Sequence, residues 1–351
     1  MRVLVASDTV GVLTSRQAGE AIGSGWTGAD VRVLPVGDSG NGFLPAYADL
    51  QEAAVEAALD GEYLVSTART AQEVALEVTG PVSPDALPLQ ATSRPLGEAL
   101  ARALDEHRPE TLVVDLSGLT VHDAGAGLLA GLGGTGDQPL DVGVDPLGRL
   151  TRLDLSRVRA RLGGTELVGV VPASQLGQPL LGLRGITSLT GRAAGMDAGE
   201  LLATDAALEA FARLAGPEQA WAPGAGACGG LGFAVLALGG RLTSGPAVAF
   251  ASTQGVRARA GVDLMLTGCS VFDFARRGGG VVAAVAELAA DSLCPCVLIA
   301  GEVVVGSREM RAMGIEAAYP VRESSLDAPV GEITEVELRA TATRVARSWR
   351  W

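Results

Sequence analysis

Val3-Leu4-Val5-Ala6-Ser7-Asp8 is a short apolar run that ends on a hydroxyl and an acid, and residues 14–23 follow it with the character of a helix. The same unit recurs along the chain. Leu112-Val113-Val114 leads into residues 124–131, and Leu264-Met265-Leu266 leads towards residues 281–290. Val297-Leu298-Ile299-Ala300 ends at Gly301, and residues 31–36 make another such run. Continuous apolar strands alternating with helices mark a parallel sheet covered on both faces, so the fold class is α/β. We expect residues 3–6, 112–114, 264–266 and 297–300 to be neighbours in one sheet. Ligands of such folds lie beyond the carboxyl ends of the strands. That singles out Ser7-Asp8, Gly37-Asp38, Asp115-Leu116-Ser117, Thr267-Gly268 and Gly301-Glu302.

A length of 351 residues is a prior for two domains. Residues 134–222 are richer in Gly, Pro and Arg than the flanking runs, with a helix expected over 197–214. The division expected is a discontinuous Rossmann-like parallel-sheet domain over 1–68, 96–133 and 256–351. A second α/β domain is inserted, over 69–95 and 134–255. A further helix is expected over 96–107. In the tail 335–351, Leu338, Ala342, Val345 and Trp349 recur at helical spacing and predict a packing helix.

Composition narrows the function. The net charge is -13, and all 27 basic residues are arginine, because the chain contains no lysine. Nucleic acid is excluded as a main partner by the sign of that charge, and lysine-dependent chemistry is excluded outright. Mean hydropathy is +0.30, yet no apolar run reaches the ~18 residues of a membrane span. The first residues carry too short an apolar stretch for a secretory signal. Four cysteines without a metal-binding spacing suit a reducing, cytoplasmic setting. Cys294-Pro295-Cys296 reads as two buried thiols at a strand start.

The densest glycine signal is Pro223-Gly224-Ala225-Gly226-Ala227-Cys228-Gly229-Gly230-Leu231-Gly232, followed by the apolar run 233–238. Glycines ahead of a helix let backbone N–H groups close on an anion. Gly224, Gly226, Gly229, Gly230 and Gly232 are therefore candidate cofactor-binding positions, with positive φ and a place facing the interdomain cleft expected for at least one of Gly224, Gly226, Gly229 and Gly230. The loop lacks the lysine and hydroxyl of a Walker loop, and a purely structural glycine turn is the ordinary alternative. Asp8, Asp38, Asp123 and Asp273 are candidate catalytic acids, able to hold magnesium or to take a proton from a hydroxyl. Helix capping is the ordinary role of an Asp after a strand. His122, beside Asp123, is placed to touch a ligand, whereas His107 lies at a polar helix end.

Taken in order, these pieces resemble the bacterial glycerate kinase family, the two-domain α/β type that phosphorylates glycerate with Mg-ATP. The loop 223–232 is the most specific match. Asp8 fits the acid of the family's first motif, and Asp38, Gly40 and Gly42 fit its second. Ser117-Gly118 with His122-Asp123-Ala124-Gly125-Ala126-Gly127 resembles the third. Pro179-Leu180-Leu181-Gly182-Leu183-Arg184-Gly185 resembles the fourth, which makes Arg184 a candidate phosphate clamp. Thr267-Gly268 with Asp273 stands where the last lies.

Departures from the family pattern fall on charged positions. Val10-Gly11 closes over the place of its first lysine, and Asn41 replaces a glutamate. Gln175 and Gly177 replace an acidic pair, one of which the resemblance implies as catalytic base, and Gln178 replaces the asparagine after it. Cys269 replaces a glutamate, Val271 an arginine and Gly280 the last lysine. Phosphoryl transfer depends on cations that neutralise spreading charge and on a base for the hydroxyl. The expectation is a family member with degraded or lost kinase activity, with Arg184, Arg276 and Arg277 as substitute cations if activity survives. The alternative is a non-catalytic module that uses the old interdomain cleft to bind a metabolite or a protein.

Overall fold

The computed structural model describes residues 1–81, 87–275, 277–323 and 332–349. Thirteen strands lie within them: β1 (Arg2–Val5), β2 (Asp30–Val33), β3 (Val55–Asp60), β4 (Tyr63–Arg69), β5 (Glu73–Thr79), β6 (Thr111–Asp115), β7 (Thr135–Gly136), β8 (Leu153–Asp154), β9 (Glu166–Val170), β10 (Arg241–Thr243), β11 (Leu264–Phe272), β12 (Cys296–Val303) and β13 (Ala317–Pro320). The chain forms two compact units, one of Met1–Ala53 with Gly245–Trp351, the other of Ala54–Ser244.

The first unit holds an all-parallel sheet in the order β13-β12-β11-β1-β2. Its strands are apolar throughout because both faces are covered. Val3, Val5, Leu264, Leu266, Val297 and Ile299 point to one side, onto Ala18, Ile22, Leu338 and Ala342. Leu4, Ala6, Met265, Leu298 and Ala300 point to the other, onto Val281, Val282 and Val285. The tail forms the helix Glu335–Ala346, with Leu338, Ala342 and Val345 buried. Trp349 packs half-buried beyond it, its Nε1 donating to the Tyr319 hydroxyl at 3.0 Å; Trp351 lies outside the described residues. Cys296 is buried and Cys294 half-buried, both free.

The second unit carries a six-stranded mixed sheet in the order β10-β9-β6-β5-β4-β3. The strands β3, β4 and β5 are antiparallel, and β5, β6, β9 and β10 are parallel. Its core gathers Leu76, Leu100, Leu112, Leu128 and Leu208, with Phe211 and Phe233 packed edge to face at 5.9 Å. The helix Arg94–His107 covers β5, and Ala198–Ala215 is the helix expected over 197–214. Among the described residues, no helix is long and apolar enough to cross a membrane.

Three of the four expected neighbours share a sheet, and Leu112-Val113-Val114 does not. That run is the middle of β6, paired with β5 and β9 in the second unit. The expected division is corrected accordingly: residues 54–68 and 96–133 belong to the second unit and 245–255 to the first. The physical reason is that an apolar run specifies a strand buried on both faces, and both sheets of this protein contain such strands.

Candidate active site

In the first unit, the carboxyl end of β1 is held in register beyond the strand. The Asp8 N–H donates to the Gly268 carbonyl at 3.0 Å. Ser15 Oγ donates to the Ser7 carbonyl at 2.8 Å and accepts the Val36 N–H at 2.7 Å, which ties the ends of β1 and β2 together. Asp38 and Asn41 exchange backbone hydrogen bonds of 3.0 and 2.9 Å across a turn whose Gly40 has φ +74. This turn brings the Asn41 amide to the Asp8 carboxylate, donating to Oδ1 at 3.0 Å and Oδ2 at 3.1 Å, and the Thr9 N–H adds a third hydrogen bond, to Oδ1 at 2.7 Å.

The helix Gly279–Asp291 begins against these acids. A Cβ on Gly280 would collide with Asp38 Oδ2, so the carboxylate fills the space a side chain at 280 would need. An acid at a helix N-terminus is favourably placed against the helix dipole. Burial, then the negative charge of Asp38, push the Asp8 carboxyl up to about 7, against the pull of the Thr9 and Asn41 donors. Cys269 is buried, and its thiol is pushed up by that burial and by the charges of Asp8 and Asp273. Asp8, Asp38 and Asp273 are thus brought into one electrostatic neighbourhood.

The raised Asp8 pKa sets a direction for stability. The folded protein holds a proton that the unfolded chain releases near its ordinary value of 3.8. The contribution of neutral Asp8 is therefore complete below that value and is lost as pH rises through about 7. Asp8→Asn, which stays neutral, is expected to flatten the profile of Tm against pH between these values. Parallel profiles for variant and parent would refute the assignment.

Asp123, also a candidate catalytic acid, lies in the second unit with the surroundings of a helix cap. It is fully buried in the second unit and accepts from Ser93 N and Ser93 Oγ at 2.8 Å each, Gly125 N at 2.9 Å and Gly127 N at 3.2 Å. These bonds cap the helix Ala126–Gly131 and fix the start of Arg94–His107. His122 is also buried, 2.9 Å from Thr187 Oγ1, and burial lowers its pKa to about 4. A ring that is neutral and enclosed does not present a charge to a ligand.

The glycine loop has the expected left-handed backbone at Gly224 (φ +82), Gly229 (φ +68) and Gly230 (φ +90), and Cys228 shares it at φ 51. Gly226 has φ -81. Gly224, Gly226, Gly230 and Gly232 are buried, and what approaches them is this unit's own chain. A Cβ would strike the Pro179 carbonyl from Gly226, Ala124 from Gly230 and the Gly224 carbonyl from Gly232. Only Gly229, among the five glycines, is half-exposed together with its neighbour Cys228. Arg184 is exposed on the turn 182–185, Arg277 is exposed with its guanidinium 5.8 Å from the Phe274 ring, and Arg276 lies outside the described residues.

Beside this loop stands a group that sequence reading did not assemble. The Gln175 side-chain oxygen accepts the Cys228 N–H at 2.8 Å. Asp115, at the end of β6, accepts Ser117 N at 3.1 Å and Ser117 Oγ at 2.8 Å, and its charge raises the pKa of both Cys228 and Glu77 after the larger effect of burial. Glu77 and Asp115 are register partners on β5 and β6. The strand-end position singles out Asp115, whereas the short run Val74-Ala75-Leu76 that leads to Glu77 is not among those read as strands from the sequence.

The sequence profile of the glycerate kinase family matches residues 3–350. The chain belongs to that family. An uncharacterized protein of Mycobacterium bovis (strain ATCC BAA-935 / AF2122/97) is 32% identical over 347 residues, covering 92% of this chain and 84% of that one. The glycerate kinase of Bacillus subtilis (strain 168) is 28% identical over 349 residues, covering 92% and 90%. A crystal structure from Salmonella typhimurium LT2, assigned by name to glycerate kinase 2, superposes with a TM-score of 0.80 at 23% identity, over 99% and 98% of the two chains. The α/β fold of this glycerate kinase family member, with its two larger sheets of mainly parallel strands and the small antiparallel pair β7-β8 among the described residues, agrees with that neighbour.

Proposed function

We propose that this glycerate kinase family member has lost efficient phosphorylation of glycerate and keeps its acidic site for binding. The observation that carries this reading is the contact of Asp38 with Gly280. Where the family resemblance implies a lysine, the chain has Gly280, and the Asp38 carboxylate lies against it, so residue 280 supplies no cation to meet a transferring phosphoryl group. Gln175 supports it from the other unit, because its amide is committed to the Cys228 N–H and cannot act as a carboxylate base. Asn41 supports it too, as a neutral amide that donates to Asp8 in place of a third negative charge.

The residues present fit a magnesium ion carried by a nucleotide. Magnesium is usually bound through one or two carboxylates with phosphates and waters completing the shell. Asp8 and Asp38 repel each other, which a divalent cation would relieve, and the buried Thr267 hydroxyl has no partner among the described residues. Asp8 and Asp38 would hold the ion, which would supply neutralising charge to phosphoryl oxygens. Asn41 orients Asp8, and the start of the helix Gly279–Asp291 fixes Asp38.

A rival reading makes the protein a working kinase with Asp8 as its base, favoured by a pKa near neutrality. Coupled measurement of ADP release with D-glycerate and Mg-ATP separates the two. We expect turnover far below the ~1–100 per second typical of kinases, alongside a Mg-ATP-dependent rise in Tm that Asp8→Asn abolishes. Saturable turnover within that range, lost in Asp8→Asn, would overturn the proposal.

A further inference from the structure

The six-stranded sheet ends on β3, whose sole strand neighbour among the described residues is β4. All six residues of β3 are exposed, including Val55 at 42% and Leu59 at 76%. An edge of this length is a template for another strand, and proteins ordinarily blunt it with unpaired charges, proline, a bulge or brevity. The opposite edge, β10, is three residues long. In contrast, β3 pairs one-to-one with β4 without a bulge, Val55-Glu56-Ala57-Ala58-Leu59-Asp60 contains no proline, and its two charges, Glu56 and Asp60, are each paired with an arginine of the same chain.

The free backbone groups follow from the hairpin. Asp60 pairs with Tyr63 across the two-residue loop Gly61-Glu62, with Gly61 at φ +63. Such a loop closes on a hydrogen-bonded pair. Asp60, Ala58 and Glu56 therefore direct their N–H and C=O groups to β4, and Leu59, Ala57 and Val55 direct theirs to the open edge.

We propose that β3 pairs antiparallel with β3 of a second copy of this chain, with Ala57 opposite Ala57 on a two-fold axis. In that register Val55 lies opposite Leu59 of the second copy, and Leu59 opposite Val55. All six outward backbone groups of each strand then find partners. One face of the junction is an apolar strip of Val55, Ala57 and Leu59 from both copies, with the smallest side chains where the strands cross the axis. On the other face Glu56 meets Ala58, so acids never stand directly opposite one another. Their charge is also met from within each copy: Glu56 lies 2.8 Å from Arg69 Nη2 and Asp60 lies 2.7 Å from Arg102 Nη2. A foreign strand would gain the backbone bonds but not this reciprocal match of side chains, which favours the second copy as occupant.

A six-residue strand junction is small beside the ~1,200–2,000 Å² of a stable interface, so the dimer should dissociate on dilution. Sedimentation velocity on the purified full chain should show mass rising with concentration from 35.5 kDa towards twice that value. Amide exchange at Val55, Ala57 and Leu59 should slow in parallel. Ala57→Pro removes an N–H that the native ladder does not use and should leave Tm close to the parent while keeping the protein monomeric. Leu59→Lys, a charge on the edge, should act the same way and decides the matter if Ala57→Pro does not fold. A parent that stays monomeric at all concentrations, a dimer that survives the substitution, or a dimer without protection at those three amides would each overturn the proposal.

Discussion

Replacing Asp123 by alanine is expected to lower the stability of the second unit by about 3–5 kcal/mol, because buried donors left without partners cost about 1–3 kcal/mol each and relaxation recovers only part. The carboxylate is wholly enclosed and takes four donors, two of them from Ser93 and two from the backbone of Gly125 and Gly127. Burial pushes its pKa up, but its partners are all donating hydrogen, which suits the charged form. Asp123→Asn should be almost as harmful, since an amide presents donors of its own to this set. At ~2–4 °C per kcal/mol for a unit of this size, the expected fall in Tm is about 6–20 °C. Differential scanning calorimetry checks it. A Tm within a degree or two of the parent would remove the capping role and return Asp123 to the list of reactive acids.

Gly229→Ala is the second large effect expected, at about 2–5 kcal/mol. Two costs combine. The left-handed backbone costs a residue with a Cβ about 1–2 kcal/mol, and forcing atoms into a packed contact adds about 1–3 kcal/mol. The new methyl would run into the Val121 carbonyl, and neither neighbour can give easily, since Cys228 and Gly230 are left-handed as well. Two controls divide the costs. Gly239 has φ +83 and open space around it, so Gly239→Ala should show the backbone cost alone. Gly177 has open space without that φ, so Gly177→Ala should be nearly neutral. Equal Tm values for all three variants would show that the loop is not built by this close approach.

Runs such as Leu264-Met265-Leu266 are legible because a strand buried on both faces must be continuously apolar. The identical property of Leu112-Val113-Val114 is why its sheet was not legible: nothing local in a buried strand names its neighbours. The hairpin of β3 and β4 is less legible for a different reason: β3 is exposed throughout, and its apolar residues Val55, Ala57 and Leu59 alternate along the strand instead of running together. In the candidate site, Asp8 and Asp38 were found by their position after strands. Asp123 occupies a similar position in the chain, and only its four donors separate a cap from a reactive acid. The glycine loop was recognised as a pattern, but its glycines answer mainly to the carbonyls and side chains pressed against them.

The path of the chain through the two sheets bears on how the protein emerges from the ribosome. The strand β1 is made first, yet its partner β11 is 261 residues away by the bond from Arg2 N–H to the Asp263 carboxylate. The second unit, Ala54–Ser244, is one uninterrupted stretch and can close its sheet while the rest is still being translated. Domains generally fold as units during synthesis, so here the later-starting unit is finished first, and the first 53 residues wait with β1 and β2 unsupported. Contacts so distant along the chain also make closure of the parallel sheet the slow step. A chain ending at Ser244 and released from the ribosome should therefore hold a folded second unit and an N-terminal segment open to chaperones and proteases.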